Sequence, residues 1–324
     1  MTAAPLLQVR RLCAEFVTPN ARLPVLDNVN FDVREGEILG IVGESGSGKT
    51  VTALSLTKLL PAAGRVVSGE VLYRGRNLLA LSDRQMNKIR GEQISMVFQN
   101  PRASLNPLLP VGVTLEQVLY AHRGLRGEEA RRVSFELLAD VGLPDPARIL
   151  RRYPHELSGG MCQRMMIALA LSSGPSLLIA DEPTTALDVT IQFQIISLLK
   201  RLREQHGLTL ILITHNLGVV AELCDRVIVM YAGSIVEEGP ALEIFDRPRH
   251  PYTLGLLASR PRVGANGSLA SIPGQVPDLR DRPPACPFHP RCKYAQDVCR
   301  EVPPALEQVT PGHLASCHFW REIA

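Results

Sequence analysis

Gly43-Glu44-Ser45-Gly46-Ser47-Gly48-Lys49-Thr50 is the stretch from which the fold is read. It fits the pattern G-x-x-x-x-G-K-S/T, follows an apolar run over residues 38–42 and opens a helical stretch over residues 51–60. A glycine-rich turn between a strand and a helix lets backbone N–H groups wrap a polyphosphate. The helix that follows adds its positive N-terminal end. Lys49 then reaches the β- and γ-phosphates of a nucleotide, and the Thr50 hydroxyl takes Mg2+.

Outward from this loop the chain reads as alternating strands and helices. Apolar runs bounded by turn residues lie at 37–42, 177–180, 208–213 and 227–231, which fits strands buried on both faces of a parallel sheet. Val133, Leu137, Leu138 and Val141 form one helical apolar stripe, and Ile191, Ile195, Leu198, Leu199 and Leu202 form another. Shorter alternating runs at 6–12, 29–33 and 69–73 predict a small antiparallel β-region early in the chain. No repeat of 20–50 residues is visible.

A second chemical signal is Leu177-Leu178-Ile179-Ala180-Asp181-Glu182, an apolar strand ending in two carboxylates. Asp181 at the strand tip is placed to hold Mg2+, and Glu182 to orient an attacking water or accept its proton. Strand ends and helix caps use the same residues. It is the pairing with the loop at Gly43 that points to a nucleoside triphosphatase.

Composition limits the alternatives. The 324 residues are 45% hydrophobic and 21% charged, an ordinary globular balance that excludes extensive disorder. A net charge of +3 with both signs interspersed gives no strong field for nucleic acid or membrane. No apolar run spans a bilayer, and residues 1–11 lack the apolar core of a secretory signal, so the expectation is a cytosolic chain with reduced cysteines. Composition shifts near residue 260: the last 64 residues hold 10 of the 25 prolines and 4 of the 7 cysteines. The expected organisation is an ATPase domain over 1–258, with a helical subdomain at about 110–173, and a Pro/Cys-rich extension over 259–324.

Leu157-Ser158-Gly159-Gly160-Met161-Cys162-Gln163-Arg164 selects the subclass, since it resembles the signature motif of ATP-binding cassette (ABC) proteins. The resemblance implies an α/β fold of P-loop NTPase type, with a RecA-like core, an antiparallel β-subdomain and a helical subdomain. It implies that Ser158, Gly159 and Gly160 open a helix facing the γ-phosphate held by a second cassette. It matches Gln99 to the loop that touches Mg2+ and the attacking water, and Ala186-Leu187-Asp188 to the loop that couples the two sites. His215 matches the histidine that contacts the γ-phosphate, and Phe16 is the candidate for stacking on adenine, the alternative being a core phenylalanine. Met161 departs from the usual glutamine, while the serine and glycines that meet phosphate are intact.

Several stretches narrow the resemblance to the ATP-binding subunits of oligopeptide/dipeptide-type ABC importers. They are Phe98-Gln99-Asn100-Pro101-Arg102-Ala103-Ser104-Leu105-Asn106-Pro107, His155-Glu156-Leu157, Pro248-Arg249-His250-Pro251-Tyr252-Thr253, Ile272-Pro273-Gly274 and the tail. The tail cysteines Cys286, Cys292, Cys299 and Cys317 follow C-x5-C-x6-C-x17-C. Four thiols in a short Pro-rich segment suit a 4Fe-4S cluster or tetrahedral zinc; unligated cysteines are the other reading. The spacing lacks a C-x2-C zinc pair, and the family favours iron–sulfur. His289, His313 and His318 are substitute ligands. The resemblance further implies a second, often non-identical cassette, two membrane permease subunits docking beside Gln99 and residues 101–115, and an extracytoplasmic substrate-binding protein. Peptide is the preferred cargo, with nickel or glutathione-like cargo open. A non-transport ABC ATPase acting on nucleic acid is the competing class, disfavoured by the lack of a second cassette and of a basic surface.

Overall fold

The computed structural model describes residues 4–185, 187–259, 272–278, 280 and 282–323. It separates into two compact units, Met1–Ala80 with Ile213–Ala324, and Leu81–Leu212.

The first unit begins with β1 (Leu7–Val17) and β2 (Arg22–Val33). Next come β3 (Ile38–Val42), β4 (Gly64–Tyr73) and β5 (Arg76–Asn77). Four of these form an antiparallel sheet in the order β2-β1-β4-β5. The alternating runs of the sequence fall inside it, and the strands extend beyond the alternation because β1 carries register shifts against both neighbours. All five residues of β3 are buried, as an interior parallel strand requires.

The second unit holds β6 (Ile94–Val97), β7 (Leu177–Asp181) and all but the last residue of β8 (Thr209–Ile213), with β7 between the other two. β6 pairs with β7 in parallel, and β7 and β8 are buried at every position. Between β6 and β7 lie the helices Val111–Arg123, Gly127–Asp140 and Gly159–Leu171. Helix Val189–His206 buries Ile195, Leu198, Leu199 and Leu202 from the expected stripe, whereas Ile191, one turn from its start, is half-buried.

The chain then returns to the first unit as β9 (Arg226–Tyr231), β10 (Ser234–Pro240), β11 (Glu307–Thr310) and β12 (His313–Ala315). Hydrogen-bonded neighbours run β11-β12-β10-β9-β3, with β9 parallel to β3 and the rest antiparallel. The Pro/Cys-rich tail therefore supplies two strands to the sheet that carries the phosphate loop. Glu237, with no exposed surface, fastens them: its carboxylate accepts the N–H groups of Arg249 and His250 and Nε2 of His313 at 2.8 Å. Tyr231, Tyr252 and Phe288 form an aromatic cluster against the same sheet, with ring centroids 4.6–5.4 Å apart.

Candidate functional site

The phosphate loop leaves β3 at Gly43, whose φ of 154° and backbone contacts admit no side chain: a Cβ there would stand 2.3 Å from the Met230 carbonyl. Gly48 precedes helix Lys49–Leu56 with φ 101° as its N-cap, a left-handed conformation that glycine adopts without cost. Ser47, Gly48 and Lys49 are buried, while Ser45, Gly46 and Thr50 are exposed. The Lys49 ammonium donates to the carbonyls of Gly43 at 2.8 Å and Glu44 at 2.9 Å, so the loop is folded around its own cation. His215 is exposed just beyond β8. Phe16 in β1 is half-buried with its ring against Gly64, where a Cβ would lie 2.9 Å from the ring. Gly64 thus leaves room for the aromatic.

In the second unit Asp181 ends β7 and is buried. Glu182 follows with φ 49°, left-handed for a residue with a Cβ, a strain that persists only where the surroundings hold it. Its Oε2 accepts Gln99 Nε2 at 3.2 Å and the Thr185 hydroxyl at 2.6 Å. The structure therefore joins two residues that lie 83 positions apart, and adds Thr185, which no motif marks. One carboxylate oxygen is held by two neutral donors, the fixed orientation that a water-activating base needs. Ser158 caps helix Gly159–Leu171 by accepting the Met161 N–H at 3.3 Å, and Asp188 caps helix Val189–His206 by accepting the Ile191 N–H at 2.9 Å. Both caps are exposed. Ala186, expected beside Asp188, lies outside the described residues.

The tail cysteines are all free thiols. Cys286, Cys292, Cys299 and Cys317 line one small cavity, and burial pushes Cys286 up to about 11, Cys317 up to about 12, and Cys292 upward. Neighbouring thiols of the group add to the rise. Thiolates in such a place need a cationic ligand to form. Among the described residues no three His, Cys, Asp or Glu side chains stand close enough to hold a single metal ion. Of the histidines named as substitute ligands, His289 and His318 line the same cavity, with one ring nitrogen each on the Cys286 and Val302 carbonyls, while His313 is paired with Glu237.

Two residues from beyond β10 reach the phosphate loop itself, Tyr252 just ahead of the tail and Arg291 within it. Tyr252 receives the Glu44 N–H on its hydroxyl at 2.7 Å, and Arg291 donates to the Glu44 carboxylate at 2.7 and 3.0 Å. Separations of 208 and 247 residues hide these contacts from any local reading. The Pro-Tyr-Thr stretch at 251–253 was legible only as a marker of the branch. Among the described residues no helix is long and apolar enough to cross a membrane.

Comparison with known proteins shows the family. Residues 26–185 match the family model described as ABC transporter, and residues 236–299 match the one for the oligopeptide/dipeptide transporter C-terminal region. The chain is 51% identical to the "Probable peptide ABC transporter ATP-binding protein y4tR" of Sinorhizobium fredii, over 98% of this chain and 95% of that one. It is 49% identical to the oligopeptide transport ATP-binding protein OppD of Salmonella typhimurium, over 96% and 93%. Among solved structures, the dimeric ATP-binding cassette MJ0796 bound to ADP and Pi superposes with a TM-score of 0.66 at 32% identity, covering 72% of this chain and 98% of that one. The chain belongs to the ATP-binding proteins of ABC transporters, in the branch that carries the oligopeptide/dipeptide transporter C-terminal region.

Proposed function

We propose that this chain is the ATP-hydrolysing subunit of an importer that carries di- or oligopeptides across the cytoplasmic membrane. The observation that carries the reading is the presence in one chain of a cassette over 26–185 and an oligopeptide/dipeptide C-terminal region over 236–299. Relatives of nearly the same length are named for peptide transport.

Within this reading Gly43, Ser45, Gly46, Ser47 and Gly48 aim backbone N–H groups at the phosphates, and Lys49 turns from its loop carbonyls to the β- and γ-oxygens. Thr50, Asp181 and Gln99 are assigned to Mg2+, a hard cation that takes oxygen donors of this kind and neutralises phosphate charge. Glu182, held by Gln99 and Thr185, orients the attacking water and takes its proton, and His215 steadies the γ-phosphate. Phe16 stacks on adenine. Ser158, Gly159 and Gly160 cap the γ-phosphate of a second cassette, which we take to be non-identical, and Asp188 couples the two sites. Cys286, Cys292, Cys299 and Cys317 would hold a 4Fe-4S cluster that ties the proline-rich tail together.

The remaining parts of the machine are two membrane permease subunits, on which the cassettes sit at the cytoplasmic face as peripheral subunits, and an extracytoplasmic substrate-binding protein. No nucleic acid is involved. The test is reconstitution of this chain with its co-purifying permeases in vesicles carrying ATP inside and the binding protein outside. ATP-dependent accumulation of labelled peptide is expected. Accumulation of nickel in its place, or ATP turnover with no uptake of either, overturns the peptide assignment.

A further inference from the structure

Glu44 is the second residue of the phosphate loop, and its groups are held from two directions. Its carbonyl is taken by Lys49 within the loop. Its N–H donates to the Tyr252 hydroxyl, just ahead of the tail, and its carboxylate accepts the Arg291 guanidinium of the tail itself. Arg291 is itself fixed. Its side chain is 5% exposed against 29% for Glu44, its Nε donates to the Pro273 carbonyl at 2.8 Å, and its guanidinium lies 5.8 Å from the Tyr231 ring centroid and 5.9 Å from that of Phe288. It ends the short 3-10 turn His289–Arg291, and the next residue is Cys292, whose N–H donates to the His289 carbonyl at 3.2 Å. The arginine that grips the loop and a thiol of the cysteine cavity thus share one turn of chain.

We propose that Arg291 is a positioning residue for nucleotide binding, and that through the Arg291–Glu44 clamp the cysteine module and the phosphate loop are thermodynamically coupled. The inference rests on the reading of residues 43–50 as the nucleotide cradle. A phosphate loop binds by the directions of its N–H groups, and a bidentate charge-assisted pair fixes the peptide unit that begins the turn. Coupling is reciprocal: whatever the tail contributes to ATP affinity, ATP contributes to the order of the tail.

The experiment uses the full chain. Affinity for N-methylanthraniloyl-ATP is measured for the wild type, Arg291→Ala, Arg291→Lys, Glu44→Gln and the Arg291→Ala/Glu44→Gln double variant. Amide hydrogen exchange over residues 286–299 is followed with and without ATP. Loss of a partly exposed charge-assisted pair predicts about tenfold weaker binding for each of Arg291→Ala and Glu44→Gln. The double variant should be no weaker than either, and Arg291→Lys should recover part of the loss. ATP should slow exchange over 286–299 in the wild type and not in Glu44→Gln, a response that an arginine serving only tail stability does not produce. If Arg291→Ala fails to fold, Glu44→Gln and the exchange data decide alone. Unchanged affinities, additive losses or a tail indifferent to ATP overturn the coupling, with the nucleotide reading intact. A wild type that binds no nucleotide overturns that reading, and the coupling with it.

Discussion

The two glycines that open helix Gly159–Leu171 are side by side in sequence, yet the structure asks different things of them. A Cβ on Gly160 would stand 2.8 Å from Cγ2 of Ile191, whereas one on Gly159 would meet only Leu187 Cδ2, at 3.4 Å. Carbon atoms in contact prefer about 3.5–4.0 Å, so Gly160→Ala forces Ile191 back by about 1 Å. Overpacking of this kind costs about 1–3 kcal/mol, and alanine returns at most about 1 kcal/mol of helix propensity. The expected net effect is a loss of about 1 kcal/mol for Gly160→Ala and no loss for Gly159→Ala. Urea denaturation of the full chain, followed by circular dichroism, reads both. Adding Ile191→Ala to Gly160→Ala removes the clashing methyl, so the two changes should cost less together than the sum of each alone. Gly159→Ala should nonetheless lower ATPase activity in the assembled transporter, because the space it fills is assigned to a neighbouring phosphate. Equal stability of the two alanine variants, or strict additivity with Ile191→Ala, would refute the packing argument.

Two further outcomes follow from the titratable groups. Burial raises Glu238 to about 7, against the pull of Arg226, which also pairs with Asp32 and Glu37. A carboxyl whose folded value exceeds its unfolded one keeps its proton longer in the fold. Its contribution is thus full below the unfolded value and is lost as pH rises through about 7. Between pH 5 and 8 the wild type should lose stability relative to Glu238→Gln, by at most about 1.4 kcal/mol per pH unit; parallel melting profiles would contradict this. Separately, protein purified without oxygen should be brown and contain iron, and Cys286→Ser should lose both. Colourless wild-type protein containing zinc would remove the cluster from the account.

Much of this was legible because it is local. The loop at Gly43 sits between β3 and helix Lys49–Leu56, and the buried strands end within a residue or two of the apolar runs, since burial on both faces leaves a continuous signature. The carboxylates fall at the end of β7 for the same reason. What stayed hidden depends on distant partners. Strands β11 and β12 are only four and three residues long, too short for a period to show, and they exist because β10 offers an edge to pair with. One compact unit groups the described tail residues with the N-terminal strands through this pairing. The Gln99–Glu182 bond spans 83 residues, and the Arg291–Glu44 pair spans the greater part of the chain. Neither has a sequence signature, because an arginine or a glutamine on a surface turn reads as solvated until the fold supplies its partner.

Glu182 offers the most direct test of the whole account. In the assembled transporter, Glu182→Gln keeps the shape and the bonds to neighbouring donors but removes the base. Phosphate release from ATP, measured alongside retention of bound nucleotide, should then fall to a small fraction of the wild-type rate while ATP stays on the protein. Phosphate release at the wild-type rate would contradict the assignment of hydrolysis to the Glu182 carboxylate just beyond β7.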